Sequence, residues 1–201
     1  MKTSINSVLK SSLVAIVVLA SMFSLNASAA TVIADRGTSH ADIKRVVATG
    51  NIKVILVQNA NERVQLDDVD LEKVSIKQVG NTLTVSSSDS NPVTIAVYVK
   101  DIYRIDASGK AMVKTAGKFN VKFLQVLLKD DATARVKTST ESIYTVIDGN
   151  SKLELLGTTQ KHIAKTTGLA SIDTDKFAAL KTVDENTAAG VAAVTTKVAV
   201  R

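Results

Sequence analysis

From Ile102 onward, an aliphatic position recurs roughly every 20 residues. One aligned column holds Ile105, Leu128, Ile147, Ala164 and Val183. A second column, eight residues further on in each repeat, holds Val113, Val136, Leu155, Ile172 and Val191. Such a period with strand-forming residues is the sequence sign of a solenoid, in which each repeat buries its apolar face against its neighbours.

The segments between these columns indicate what kind of solenoid to expect. Stretches such as "KTSTESIYTV" and "LGTTQKHIAKTTG" are rich in Thr, Ser, Gly and β-branched residues and carry no apolar stripe at helical spacing. The connections are therefore predicted to be strands and turns. We expect an all-β fold, a parallel β-helix (β-solenoid) with about 20 residues per coil, preceded by a strand-rich head.

A column of charged residues follows the first aliphatic column. It reads, in order, Asp106, Lys129, Asp148, Lys165 and Asp184. Stacked coils lie about 4.8 Å apart, so this register predicts opposite charges on successive coils along one exterior edge.

Between Val46 and Val99, apolar and polar residues alternate with a period of two, which is typical of strands. This alternation predicts the strand-rich head. Gly80-Asn81 lies between "VSIKQV" and "TLTVSS" and predicts a tight hairpin turn. Pro92 is expected to open a strand, where its missing N–H does least harm. The final "GVAAVTTKVAVR" would leave an open edge, covered either by the chain's own last strand or by a second copy.

The segment 1–29 is typical of a secretory signal peptide. Lys2 and Lys10 precede an apolar run from Leu13 to Phe23, and Ala27-Ser28-Ala29 fits a cleavage site. The run is too short to span a bilayer, so no integral membrane segment is expected after cleavage. The expected division is a signal peptide over 1–29, a polar lead-in over 30–45 and one domain over 46–201. Within that domain, 46–101 would form the head and 102–201 about five coils.

Composition narrows the function. The sequence has no cysteine, so the chain can form no disulfide and carry no lipid-anchored cysteine. This holds although the compartment expected for an exported protein is oxidising. Its formal net charge of +6 falls to +4 when the two lysines of the leader are removed, which argues against a nucleic-acid partner. Six aromatic residues follow Ala30, which is few for a nucleic-acid platform or a sugar-binding cleft.

The segment from Gly50 to Val113 resembles a known family. Its order is a "VILVQ" strand, a "VQL" strand, a "GNTLTV" hairpin, a "VTIAVYV" strand, and then "IYRIDASG" leading into repeats. This order is similar to the head GIN domain of putative auto-transporter adhesins, exported bacterial proteins. The resemblance implies a β-helical fold. The biochemical role of that family is largely unassigned, so the resemblance transfers no site residues. Gly109 matches the family's turn at the first coil, where a glycine serves geometry.

Two acidic groups are candidate sites. Asp67, Asp68 and Asp70 could hold a calcium ion through carboxylate oxygens, although the glycine-punctuated ligand spacing is missing and an exposed turn is favoured. Asp130, Asp131 and Asp148 are expected at similar heights on neighbouring coils. Stacked carboxylates could act as acid and base on a polysaccharide, but a structural turn ladder is favoured. It is favoured because the column three residues after the first aliphatic column holds only short polar residues, namely Ser108, Asp131, Asn150, Thr167 and Asn186.

The two histidines, His40 and His162, have no other histidine or cysteine near them in sequence, so neither is expected to be a ligand or a base. No hydrolase, zinc-protease or phosphate-loop motif is present. We therefore expect no enzyme, no cofactor and no metal.

The expected function is that of an exported, non-enzymatic envelope or surface module for adhesion or interaction, in the periplasm or at the cell surface. Its partner would be an envelope polysaccharide or a surface protein, with self-association through the C-terminal strand as a further hypothesis. The alternative is a β-helix that binds or cleaves polysaccharide through stacked carboxylates.

Overall fold

The computed structural model describes residues 42–66, 73–186 and 194–195. These residues are almost entirely strand and turn, as the period of two predicts, and the expectation of an all-β chain is confirmed. The strands are β1 (Arg45–Gly50), β2 (Ile52–Gln58), β3 (Arg63–Leu66), β4 (Val74–Val79), β5 (Thr82–Ser87), β6 (Val93–Val99), β7 (Arg104–Ser108), β8 (Met112–Ala116), β9 (Phe119–Asn120), β10 (Phe123–Leu128), β11 (Thr133–Ile147), β12 (Lys152–Thr166), β13 (Ser171–Asp184) and β14 (Val194–Thr195).

Most strands belong to one of two parallel ladders. Ladder A runs β5, β1, β7, β10 and then the second halves of β11, β12 and β13. Ladder B runs β6, β2, β8 and then the first halves of the same three long strands. The long strands bend from ladder B into ladder A. The chain thus alternates between the ladders, and the strands of the predicted head continue both of them.

The stacking order departs from chain order at one end. The pair β1 and β2, first along the chain, lies between β5 and β6 on one side and β7 and β8 on the other. The pair that comes first along the chain is therefore second in the stacking order, and β5 and β6 lie outside it. Only pairings between residues distant in sequence establish this order.

The registers correct the alignment of the first aliphatic column. Leu128 pairs with Ile147, as predicted, but Ile105 pairs with Val126, and Ala164 pairs with Thr145. Both errors are shifts of two residues. Since side chains alternate with a period of two, such a shift leaves the same faces buried and cannot be detected from hydrophobicity.

The second aliphatic column contains the same kind of error. Val136 pairs with Leu155, as predicted, whereas Val113 pairs with Ala134. Ile172 pairs with Leu153, again two residues from its predicted partner. The last member of this column, at position 191, lies outside the described residues.

Strand β13 departs from a constant register. Val183 pairs with Ile163 because β13 carries an irregularity opposite Glu154 to Leu156, which changes its offset by one residue. The last two members of the first column are therefore not true equivalents.

The predicted ladder of alternating charges is wrong except at one step. Asp148 lies beside Lys129, as the backbone bond from the Asp148 N–H to the Leu128 oxygen requires. In the ladder, however, Asp106 pairs with Leu127, and Asp184 pairs with Ala164 rather than with Lys165. The misplaced steps follow from the same register shifts.

Antiparallel strands flank the outer members of the ladders. β4 pairs with β5 through the turn at Gly80 and Asn81, and β3 pairs with β6, which begins just after Pro92. The predicted hairpin and strand opening are therefore confirmed. At the other end, β14 pairs antiparallel with Thr182 and Val183 of β13. The hypothesis that the chain's own last strand covers this edge holds for those two residues.

The core lies between the ladders. Alternate residues of most ladder strands are buried, and the largest buried side chains include Phe119, Ile105, Leu124 and Leu153. Towards β13 the interior also takes up hydroxyl groups. Thr138 donates to the Phe119 carbonyl oxygen at 3.0 Å, so this buried polar group is satisfied.

Packing begins within the predicted lead-in. Ile43 is buried, and its backbone N–H donates to the Glu62 carboxylate at 2.9 Å. The ordered fold therefore takes in the last residues of the 30–45 segment. The expected signal peptide and the rest of the lead-in lie outside the described residues.

Candidate functional site

The candidate carboxylates lie on a stack of turns between ladder A and ladder B. The turns place Gly109, Asp130, Gly149 and Gly168 in one column, and their φ angles are 69°, 61°, 74° and 72°. Left-handed backbone favours glycine, and aspartate is among the few other residues that tolerate it. Asp130 therefore occupies a position where backbone geometry selects the residue.

Backbone hydrogen bonds join these turns from layer to layer. The Asp131 N–H donates to the Gly109 oxygen at 3.0 Å, and the Asn150 N–H donates to the Asp130 oxygen at 2.7 Å. A Cβ on Gly149 would lie 2.9 Å from the Asp130 carbonyl oxygen, closer than real Cβ atoms approach. The column is thus a turn ladder, and its close spacing explains its glycines.

Two of the carboxylates link neighbouring turns. Asp130 Oδ2 accepts from the Gly109 N–H at 2.9 Å, which joins two layers. Asp131 Oδ1 accepts from the Asn150 side-chain amide at 3.1 Å. The predicted stacking of Asp131 with Asn150 is therefore correct. Its predicted stacking with Ser108 is wrong by two residues, since the Asp131 N–H donates to the Gly109 oxygen.

Asp148 has the most hydrogen-bonded carboxylate of the three. Its Oδ1 accepts from the Thr167 hydroxyl at 2.6 Å and from the Gly149 N–H at 2.8 Å. These two bonds, in that order, lower the pKa of Asp148. Desolvation opposes them in part, and the charge of nearby Lys129 makes a smaller contribution that also lowers the pKa. A general acid in glycoside cleavage needs a raised pKa. Asp148 is shifted in the opposite direction.

The other acidic candidates cannot be placed. Asp67, Asp68 and Asp70 lie outside the described residues, and so does His40. Among residues 42–66 and 73–186, no group of three or more His, Cys, Asp or Glu side chains is arranged to hold a metal ion.

His162 lies inside the fold. It is 3% exposed, and its Nε2 lies 3.0 Å from the Thr145 hydroxyl oxygen. Phe177 packs edge-on against the ring, with 5.7 Å between centroids. Burial lowers the pKa of His162 to about 4, and the charge of Asp184 opposes that shift only in part. His162 is thus a neutral interior group near pH 7.

One ion cluster on the outer face of ladder A was missed from sequence. Asp106 accepts from the Arg45 Nε at 2.7 Å and from the Arg104 Nη2 at 2.8 Å. The hydrogen bond to Asp106 is the main reason that the pKa of Arg104 is raised. Arg104 and Asp106, two apart on one strand, are a visible signal, whereas Arg45 joins only through the pairing of β1 with β7.

A second feature missed from sequence lies at the bend from ladder B into ladder A. Two apolar side chains protrude there, Phe123 at 55% and Leu180 at 68% exposure. Lys161 and Lys181 are exposed and stand directly opposite each other on β12 and β13. Lys122 lies over the Phe123 ring, 5.5 Å from its centroid. These five residues are called the basic edge below.

Three solved structures are similar in fold. A putative adhesin from Bacteroides fragilis matches with a TM-score of 0.59 and 15% identity, over 71% of this chain and 73% of that one. A putative adhesin from Parabacteroides distasonis matches with a TM-score of 0.55 and 15% sequence identity, over 73% of this chain and 75% of that one. A second protein of that organism is described as a putative lipid binding protein. It matches with a TM-score of 0.55 and 10% sequence identity, over 72% of this chain and 74% of that one. No curated protein matches the chain.

The family assignment comes from the sequence match. The model of the family described as "Putative auto-transporter adhesin, head GIN domain" matches residues 42–201, which includes every described strand. The expected resemblance is confirmed over a longer segment than the one that suggested it. This chain belongs to the head GIN domain family of putative auto-transporter adhesins.

Proposed function

We propose that the two ladders are the coils of a parallel β-helix with about 20 residues per coil. The spacing of bonded partners on neighbouring turns supports this. Gly109 and Asp130 are 21 positions apart, Asp131 and Asn150 are 19 apart, and Thr166 and Asn186 are 20 apart. Each spacing corresponds to one passage through both ladders, as a coil requires.

The proposed role is that of an exported, non-enzymatic interaction module of the bacterial envelope, acting in adhesion. Membership of an adhesin family over residues 42–201 is the observation that carries it. The leader-like segment 1–29 agrees with export. In the described part of the chain, no helix is both long and apolar enough to cross a membrane.

The carboxylates of the turn ladder favour a structural role over catalysis. Asp130, Asp131 and Asp148 each accept hydrogen bonds from the turns, and the pKa of Asp148 is lowered. A catalytic pair would need one carboxyl group held protonated near neutral pH. The polysaccharide-cleaving alternative draws no specific support from these contacts.

The test is binding of the mature chain, from Ala30 onward, to an array of polysaccharides and envelope components, with product formation followed on every hit. Saturable binding without product is expected. An Asp130→Asn, Asp131→Asn double variant is the matched control, since asparagine also tolerates the left-handed conformation at position 130. It should bind as the parent does. Product release that this variant abolishes would make the protein an enzyme and overturn the proposal.

A further inference from the structure

The basic edge combines protruding apolar side chains with cations. The strand pairings place Phe123, Ser142, Lys161 and Lys181 in one column across β10 to β13, and Leu180 adjoins its end. Phe123 and Leu180 are each more than half exposed. Apolar side chains that protrude beside cations can contact a partner that offers both apolar and negatively charged groups.

The two facing lysines on this edge need an explanation. Lys161 and Lys181 are in direct register on adjacent strands, which places their backbones about 4.8 Å apart. Like charges directly opposite each other destabilise a sheet. Within the described ranges, no carboxylate forms an ion pair with either lysine, so a bound anion would remove an unfavourable contact.

The remaining charges on the edge leave it positive. Lys122 lies 3.9 Å from the Glu141 carboxylate, an exposed pair that is weakly coupled. Counting Lys122, Lys161 and Lys181 against Glu141 leaves a net charge of +2. Lysine stems can lie along apolar surface while their ammonium groups reach outward, so cations and apolar groups can meet the same target.

From this combination we propose that the basic edge docks the protein onto an anionic lipid surface. Phe123 and Leu180 enter the headgroup region, and the three lysines contact the lipid phosphates. Aromatic and aliphatic side chains with adjacent lysines are the chemistry of peripheral membrane binding. A purely ionic partner, such as an acidic polysaccharide, would explain the lysines but not the two protruding apolar groups. The inference names a partner for the proposed envelope role and rests on it.

The experiment is co-sedimentation of the mature chain with phosphatidylcholine vesicles, with and without phosphatidylglycerol. Binding is expected only to the anionic vesicles and should weaken as salt rises. The Lys161→Gln, Lys181→Gln variant should bind about 25-fold more weakly, given a roughly five-fold contribution from each lysine near a charged membrane. Phe123→Ser, Leu180→Ser should bind at least about 10-fold more weakly at unchanged net charge.

Two matched controls lie away from the edge. Leu169 is also a protruding leucine, 84% exposed, but it follows Gly168 in the turn ladder. Leu169→Ser should bind as the parent does, and so should Lys110→Gln, Lys152→Gln, which removes the same charge from exposed positions elsewhere. Circular dichroism of each variant checks that it is folded.

Three results would overturn the inference: no binding to anionic vesicles, equal binding to neutral ones, or equal losses in the control variants. Acidic polysaccharide is tested in parallel. If it binds through Lys161 and Lys181 while vesicles do not, the edge is a polysaccharide site and the lipid assignment is wrong. Neither result bears on whether the protein is an enzyme, which the turnover assay decides separately.

Discussion

The close stacking of neighbouring strands can be tested at Gly157, where β12 bends. Gly157 has a φ of +105° and pairs with Thr138 on β11. A Cβ at this position would lie well inside van der Waals contact of the Thr138 carbonyl oxygen. Gly157→Ala therefore meets two obstacles, an unfavourable backbone conformation and a clash with the neighbouring strand.

Gly117 separates the two effects. Its φ is +89°, but a Cβ there would find no atom within 4 Å. Gly117→Ala should lose about 1–2 kcal/mol of unfolding free energy from the positive φ alone, partly offset by a less flexible unfolded chain. The difference between the two variants thus measures the contact between strands.

The added effect at Gly157 can be worked from the contact. Relieving it requires the two strands to separate locally, and Thr138 is fully buried. A buried backbone group left without a partner costs about 1–3 kcal/mol. Gly157→Ala is therefore expected to lose about 1–3 kcal/mol more than Gly117→Ala. In a domain of this size that difference is roughly 2–12 °C in Tm.

Urea and thermal unfolding of the mature chain, followed by circular dichroism, give both quantities. Each variant is compared with the same parent and with the other variant. If the two variants lost the same stability within about 0.5 kcal/mol, the close approach of β11 and β12 would not be restrictive and the reasoning would be refuted.

Three further predictions concern the interior and the outer face. The buried ring of His162 has a pKa of about 4, so the parent protein loses stability as pH falls from about 6.5 to 4, by up to about 3 kcal/mol. His162→Gln should remove this loss and so flatten the pH dependence of stability in that range. Urea unfolding at several pH values measures this. Phe119→Ala, at a side chain only 1% exposed, should lose about 3–5 kcal/mol in the same assay at pH 7. Asp106→Asn should lose about 1 kcal/mol, less at high salt, because it removes the shared charge partner of Arg45 and Arg104 on a partly exposed surface.

Each of these has a contradicting result. If His162→Gln left the pH profile of stability unchanged, the folded state would not lower the pKa of this ring. A loss below about 1 kcal/mol in Phe119→Ala would place that ring outside the core. A loss in Asp106→Asn that is independent of salt would attribute the effect to packing rather than to charge.

The candidate site was predictable only in part. The pairing of Asp131 with Asn150, 19 positions apart, and the proximity of Lys129 to Asp148 follow from the repeat that the sequence displays. The position of Thr167 does not, since the aligned column placed it beside Asn150 while it donates to Asp148. A two-residue shift keeps every side chain on its face of the sheet, so the apolar pattern was equally satisfied by both registers.

The basic edge and the contact of Arg45 with Asp106 could not be predicted from the sequence. Arg45 and Asp106 are 61 positions apart, and Lys161 and Lys181 become neighbours only because of the register in which β12 and β13 pair. Such juxtapositions depend on which strands are adjacent. Strand order is decided by burial of the whole core and not by any local preference.

The sequence by itself determined the all-β class, the hairpin at Gly80 and Asn81, the long-range aliphatic repeat and the family. These properties depend on local alternation and turn chemistry, which a linear pattern contains. Only the tertiary structure decided the register, the insertion of β1 and β2 between later strands, and the charges that meet across layers. Those features depend on contacts between residues that are distant in sequence. Strands with the same alternation could pair in several registers and orders, and only packing of the complete core favours one of them.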